Sequence, residues 1–338
     1  MQVDNPAIWR RRQDGCEACR TVLLACAFLV VGPLAAVAQD WPTKPIRVIS
    51  ALAPGGAVDL VVRTIGDQLT TNVGQPIVLE NRPGGVGTIA AEIVARAQPD
   101  GYTLLASTPA IQGIAPYLVK KTSFDAHNDF TAIANAIELP IVLVVHQSVP
   151  ANTVAEFIAY AKSNPGKLSF GSSGYGTSHH LAGEYLNAVA GIKMVHVPYR
   201  GGAPAMTDLL AGQIPVAFAT LSTVMPYMGT GKIKVLGAVE ERSPAGHPEI
   251  PPIGATVRGF VLPPSWTGFV APAGITPALA DRMHDEFEKA TQTPKVRNLL
   301  EQNGFEVVLS RRKAFADEIM QTLDRYKKII DTTGVAAE

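Results

Sequence analysis

Four short segments rich in glycine and hydroxyl residues carry the chemistry most readable from this chain. They are Ala53-Pro54-Gly55-Gly56-Ala57-Val58-Asp59, Ser107-Thr108-Pro109-Ala110, Gly171-Ser172-Ser173-Gly174-Tyr175-Gly176-Thr177-Ser178 and Pro198-Tyr199-Arg200-Gly201-Gly202. Where such a turn leads from a strand into a helix, unpaired backbone N–H groups and the positive dipole end favour an anion, and glycine permits close approach. A small carboxylate fits that donor set. Asp59 falls in a first helical turn, where it complements the dipole or, facing a cleft, favours a ligand amine or hydroxyl. Arg200 is a carboxylate partner or a solvated surface group. Thr177 and Ser178 cap the following helix or donate to a ligand, and Tyr199 packs on ligand carbons or supports its own loop.

Other chemistries fit less well. Gly85-x-Gly87-x-x-Ala90 has the form of a dinucleotide fingerprint, but no ribose-binding acid follows a second strand. Gly229-x-Gly231-Lys232 lacks the P-loop spacing, and no Gly-x-Ser-x-Gly elbow occurs. His179-His180 with Glu184 invites a metal reading, yet adjacent helical residues diverge by about 100°, so capping or packing is expected. The sequence therefore calls for no metal, no cofactor and no catalytic residue.

The elements that position these turns follow from periodicity. Ile46 to Ala51 reads as a strand, and Val58, Val61, Val62, Ile65 and Leu69 then recur on one helical face that ends near Gly74. Ile77 to Leu79 and Tyr102 to Ala106 read as further strands, with a helical stripe of Ile89, Ile93, Val94 and Ala97 between them. A second α/β block opens at Ile141 to His146, an apolar run expected to be buried on both faces. Thr153 with Glu156 forms a capping-box pattern before Phe157, Ile158 and Ala161. Strands follow at Leu168 to Phe170, Met194 to Val197, Val216 to Phe218 and Val235 to Ala238; after a Pro-rich loop come a strand at Trp266 to Ala271 and helices at Leu279 to Ala290, Val296 to Asn303 and Phe315 to Ile330. The alternation predicts an α/β fold of two lobes with mostly parallel sheets, joined by two crossings around a cleft.

Composition bounds the partners. The 338 residues balance 29 Lys plus Arg against 29 Asp plus Glu, so no basic excess exists for nucleic acid. Arg10, Arg11, Arg12 and Arg20 precede an apolar run from Thr21 to Val31, and Ala36-Val37-Ala38 supplies small residues for cleavage, which predicts a signal peptide over residues 1–38 and export. The arginine triplet leaves a twin-arginine route open. All three cysteines, Cys16, Cys19 and Cys26, fall inside that segment, so the exported chain would hold no disulfide or thiolate site.

Further along, the order of motifs resembles the Bug-type, TctC-like solute receptors of tripartite tricarboxylate transporters. The resemblance runs through Trp41-Pro42-x-x-Pro45-Ile46-Arg47, Pro54-Gly55-Gly56-x-x-Asp59 with Arg63, Glu80-Asn81-Arg82-Pro83-Gly84, and Pro99-Asp100-Gly101-Tyr102-Thr103-Leu104-Leu105. It continues in Pro198-Tyr199-Arg200-Gly201-Gly202-x-Pro204-Ala205, Asp208-Leu209-Leu210-Ala211-Gly212, Arg242-Ser243-Pro244 and Trp266-x-Gly268-Phe269-Val270-Ala271-Pro272. Such a resemblance implies a type II periplasmic binding protein, lobe I at 39–142 plus 263–338 and lobe II at 143–262. It implies a monomer that captures a carboxylate for membrane permease subunits, with a sensory receptor or an exported hydrolase as the alternatives. Carried over by position, the ligand site is Gly55, Gly56, Ala57 and Val58 with Ser172, Ser173, Thr177 and Ser178. Ser107, Thr108, Tyr199, Arg200, Ala219 and Thr220 are expected along its walls, with Asp59 beside it. Two departures stand out: Leu52 occupies a position where the family carries an aromatic ring, and Pro252-Ile253-Gly254-Ala255-Thr256 lacks the acid usual there. A more apolar or aromatic acid is therefore expected.

Overall fold

The structure, a computed structural model, describes residues 41–337; the expected signal segment and its cysteines lie outside the described residues. Two sheets organise the chain. The first contains β1 (Ile46–Ser50), β2 (Ile77–Asn81), β3 (Thr103–Ser107), β4 (Phe130–Glu138), β10 (Trp266–Pro272) and β11 (Glu306–Ser310) in the order β11-β4-β10-β3-β1-β2. The second contains β5 (Ile141–His146), β6 (Leu168–Ser172), β7 (Met194–Pro198), β8 (Val216–Thr220) and β9 (Ile233–Ala238) in the order β7-β6-β8-β5-β9. Helices α1 (Ala57–Val73), α2 (Thr88–Ala95), α3 (Ala115–Leu118), α4 (Val154–Ser163), α5 (Ser178–Ala190), α6 (Gly202–Leu210), α7 (Leu221–Val224), α8 (Pro277–Gln292), α9 (Pro294–Gln302) and α10 (Arg312–Thr333) connect and flank them.

Parallel pairing is confined to one part of each sheet. β1 runs parallel to β2 and β3, and β6 parallel to β7 and β8. The strands at or next to the crossings, β10, β4 and β5, pair antiparallel with their neighbours. Both sheets are thus mixed and not mostly parallel, because a strand arriving from the other sheet enters without the crossover helix that parallel pairing requires. The chain leaves the first sheet through Leu139-Pro140 and returns between β9 and β10.

The inner periodicities behave as their residues dictate. α1 buries Val58, Val61, Val62, Ile65 and Leu69 and ends at Gly74, whose φ of 71° suits a residue without Cβ. β5 is buried on both faces: Leu143 and Val145 enter a core with Phe157, Phe170, Leu181 and Phe218, whereas Val142 and Val144 pack with Met206, Leu209 and Ala217. Thr153 caps α4 by accepting from the Glu156 N–H, while the Glu156 carboxylate reaches back to the N–H of Asn152. The core of the first sheet gathers Ile49, Leu105, Trp266, Val270 and Phe315, with Trp266 and Phe315 edge to face at 5.1 Å. α10 serves both regions, since Tyr326, Ile329 and Ile330 join the core beneath the second sheet. Among the described residues, no helix is long and apolar enough to cross a membrane.

Candidate functional site

Parallel pairing brings the predicted turns to common edges. β1 and β3 place Gly55 to Asp59 beside Ser107 and Thr108, and β6, β7 and β8 place Ser172 and Ser173 beside Tyr199, Arg200, Ala219 and Thr220. The two edges meet through the Gly84 to Gly87 turn. A Cβ on Gly176 would lie 2.7 Å from Val86 Cγ1, and one on Gly87 would meet Ile111 at 2.5 Å and the Cβ of Ala51 at 3.3 Å. Val86 itself holds a φ of 55°, strained for a β-branched residue and sited where the turns of the two sheets touch.

The first turn is set by its own acid. Gly55 takes a φ of 83°, and Gly56, at φ −85° and ψ 178°, starts α1 with no side-chain cap. The first-turn N–H groups of a helix have no acceptor within it. Asp59 Oδ2 accepts from Gly55 N at 3.2 Å and Arg63 Nε at 2.9 Å, and its Oδ1 accepts from Asn81 Nδ2 at 3.2 Å. Burial works to raise the Asp59 carboxyl, but the hydrogen bonds from Arg63, Gly55 and Asn81 outweigh it and hold the group below its ordinary value. Asp59 is therefore committed to shaping the turn, and the Gly55 N–H with it. Gly56 and Ala57 stay accessible at the turn, whereas the Val58 side chain points into the core.

At the second turn Ser107 is fully buried and accepts from Gln112 Nε2 at 3.1 Å, while the Thr108 carbonyl accepts the N–H groups of Ile111 and Gln112. Gln112 Oε1 is buried and has no hydrogen-bond partner. Gln112 was not foreseen as a site residue, and its four-residue spacing from Thr108 in a helical turn is the signal that could have found it.

The third turn is a dense hydroxyl and imidazole network. Ser172 is fully buried; its Oγ accepts from the Gly174 N–H at 3.1 Å and shares a 2.7 Å hydrogen bond with His196 Nε2. Thr177 caps α5, accepting from His180 N at 3.3 Å and donating to the Gly174 carbonyl at 2.7 Å. Ser178 is buried and bonded at 2.8 Å to the hydroxyl of Tyr326 on α10. Ser173, half-buried, meets His179 Nδ1 at 2.9 Å, and His179 Nε2 meets Thr220 Oγ1 at 3.1 Å. His180 accepts from the Gly176 N–H and stacks on His196 with centroids 3.9 Å apart. Burial lowers His179 to about 4 and His196 to about 4; His180 falls to about 3 through burial and then the nearby His196. The imidazoles are neutral near pH 7. His179 and His180 thus face different partners, and Glu184 lies 3.9 Å from His180 Nε2. The Ser172–His196 pair has the distance of a nucleophile and base, but Ser172 presents no surface to a substrate. His196 was missed in the sequence: between Val195 and Val197 an alternating strand reads it outward, whereas in the fold it stacks on Phe170 and bonds Ser172 of the neighbouring β6.

In the fourth turn the Tyr199 hydroxyl donates to Asp208 at 2.7 Å on α6, and burial followed by that acid pushes Tyr199 up to about 12. Tyr199 is held against its own helix, and Arg200 is exposed. Gly201, at φ 119°, donates its N–H to the Ser173 carbonyl, and α6 starts beyond it without a side-chain cap. Ala219 and Thr220 end β8 as buried residues.

Residues 61–335 match the sequence pattern described as "Tripartite tricarboxylate transporter family receptor". The chain belongs to this family. A curated relative, a UPF0065 protein of Bordetella bronchiseptica, is 30% identical over 99% of this chain and 99% of its own. Among solved structures, one described as R. palustris Rpa4515 with adipate superposes with a TM-score of 0.82 at 28% identity, covering 88% of this chain and 100% of the other. MatC (Rpa3494) from Rhodopseudomonas palustris with bound malate gives 0.78 at 27% identity, covering 86% and 100%. A structure described as the periplasmic binding protein BugD gives 0.80 at 27% identity, covering 88% and 100%. This tripartite tricarboxylate transporter receptor is accordingly a solute-binding protein and not an enzyme, with the fold of the periplasmic binding proteins.

Proposed function

We propose that this receptor captures a small carboxylate between the turn at Gly55 to Val58 and the turns at Ser172 to Ser178 and Tyr199 to Gly202, and delivers it to membrane permease subunits. The uncapped amino end of α1 at Gly56 carries the reading, because it presents peptide N–H donors beside residues small enough to admit an oxyanion. Adipate and malate, named for the two structural neighbours, belong to the same dicarboxylate class. Gly56, Ala57 and Val58 contribute backbone donors, Ser173 and Thr220 contribute hydroxyls, and Ser107, Thr108, Ala219 and Arg200 line the approach. Asp59, Ser172, Thr177, Ser178 and Tyr199 act one step back, holding those groups in place through the partners described above.

Leu52 is 37% exposed next to this turn and offers an apolar contact in place of a ring. An acid with a methylene spacer is therefore the favoured solute over a hydroxylated one. Lobe I comprises 39–142 with 263–338 and lobe II 143–262 in this reading, with residues 1–38 removed on export and the mature protein acting as a monomer without nucleic acid. A solitary sensory role uses the same site and differs only in the partner.

A thermal-shift panel of mono-, di- and tricarboxylates tests the reading. Saturation at 100 times the dissociation constant stabilises a folded protein by about 2.7 kcal/mol. We expect adipate to raise the melting temperature more than malate. A flat response across the panel would remove the carboxylate reading.

A further inference from the structure

His179, the second residue of α5, stands between hydroxyls carried by two different strands. Ser173 follows β6 and Thr220 ends β8, and these strands are parallel neighbours, so the ring spans the carboxyl edge of the second sheet. Its Nδ1 lies 2.9 Å from Ser173 Oγ and its Nε2 lies 3.1 Å from Thr220 Oγ1. A neutral imidazole has one N–H and one lone pair. Burial lowers His179 to about 4, so the neutral ring is the form present near pH 7.

Two arrangements then satisfy both contacts. In one, Nδ1–H donates to Ser173 and the Thr220 hydroxyl donates to Nε2, which leaves the Ser173 proton free to point elsewhere. In the other, Nε2–H donates to Thr220, the Ser173 hydroxyl donates to Nδ1, and the Thr220 proton is free. One hydroxyl proton of the pair is available in each state, and never both. The Thr220 carbonyl is already engaged by Thr223 Oγ1 at 2.8 Å, and the Ser173 carbonyl by Gly201 N at 3.2 Å, so the backbone at both ends of the strut is fixed.

We propose that His179 is a positioning residue for the solute: its ring makes Ser173 and Thr220 an either-or donor pair, and the bound carboxylate selects the tautomer by drawing out one of the two hydroxyl protons. The proposal rests on the carboxylate-receptor reading above. A bound acid then meets one ring-oriented hydroxyl in place of two freely rotating ones, and an oriented donor loses less freedom on binding. The residue itself need not touch the solute.

Ring nitrogen NMR spectra of the 15N-labelled protein, alone and saturated with adipate or with malate, provide the test. The expected result is a shift of His179 toward one neutral tautomer when an acid binds, while His180 and His196 keep their signals. His179→Leu is expected to weaken acid binding roughly threefold to tenfold, the cost of ordering hydroxyls that then rotate freely, and His179→Asn and His179→Gln, each retaining one amide arm, to recover part of it. Adipate or malate binding with no change in the His179 ring, or His179→Leu binding as the native protein does, would overturn the positioning role and leave the receptor reading standing. Absence of binding by every carboxylate in the panel would overturn both.

Discussion

Glu240, just beyond β9, offers a quantitative test of how the crossing between the sheets is built. Its Oε1 accepts from the N–H of Ile141 at 3.1 Å, at the first residue of β5, while its Oε2 is buried with no hydrogen-bond partner. Arg242 gives no relief, because its Nη2 is shared at 2.9 Å between Glu138 and Glu306. Burial raises the Glu240 carboxyl to about 8 against the Ile141 hydrogen bond, and Glu138 and Glu306 add to the rise. Between pH 4.5 and about 8 the folded chain keeps a proton that the unfolded chain has released, so this group's contribution is full below 4.5 and falls as pH rises through the window. Each pH unit there corresponds to about 1 kcal/mol or a little more, which gives roughly 2 to 3 kcal/mol between pH 5.5 and 7.5. Glu240→Gln keeps the shape and the Ile141 acceptor but cannot titrate. Urea unfolding of both proteins across this range isolates the term, since groups remote from Glu240 cancel in the difference. The variant is expected to gain roughly 2 to 3 kcal/mol on the native protein from the lower to the higher pH. Parallel stability curves would refute the reasoning, for Glu240 would then be charged in the folded state.

The remaining predictions concern the turns and the ring stack. Gly56→Val should fold, because Gly56 has an extended φ of −85° and its nearest Cβ neighbour is the Ala53 carbonyl at 3.8 Å; melting should fall by a few degrees at most, the cost of a β-branched N-cap, while calorimetry shows acid affinity down about tenfold or more, and native affinity would exclude this turn from the site. Gly183→Ala places a methyl carbon 2.1 Å from Phe170 Cε2; a loss of about 2 kcal/mol or more in urea unfolding is expected from overpacking, and native stability would contradict the packing of α5 on β6. His179, His180 and His196 are all depressed below 6.5, so the unfolded chain takes up protons that the folded chain refuses, and stability present above pH 6.5 is lost as pH falls toward 4. Urea midpoints should drop through that interval with a smaller slope in His180→Gln, and equal slopes would show that His180 titrates normally.

Much of this architecture was legible because its signals are local. The apolar stripe from Val58 to Leu69 and the glycine at 74 fix α1, and the Thr153 to Glu156 spacing fixes the start of α4. β4 went unread: its Phe-Thr-Ala-Ile-Ala-Asn-Ala-Ile-Glu sequence is built largely from residues of modest strand preference and carries Asn135 at its buried centre. Pairing with β10 and β11, contributed from more than a hundred residues later, is what makes it a strand. The mixed sheets escaped notice for the same reason, since direction of pairing is decided by distant partners. Around the proposed site, the turns do follow the expected strands, but the hydrogen-bond partners of the side chains within them were not legible. Ser172, Thr177 and Ser178 look like ligand donors by type, yet His196, His180 and Tyr326 use their hydroxyls, and those partners lie on β7, α5 and α10. A hydroxyl's availability depends on three-dimensional neighbours that spacing alone does not specify.

The decisive measurement compares adipate with its neutral dimethyl ester by isothermal titration calorimetry against the native protein. The two share a carbon chain and differ in the charge offered to the peptide donors at Gly56 and across the facing turns. Saturable binding of the acid with no detectable binding of the ester is the expected result. Equal affinity for both, or binding of the ester alone, would contradict the claim that this receptor holds its solute by its ionised ends.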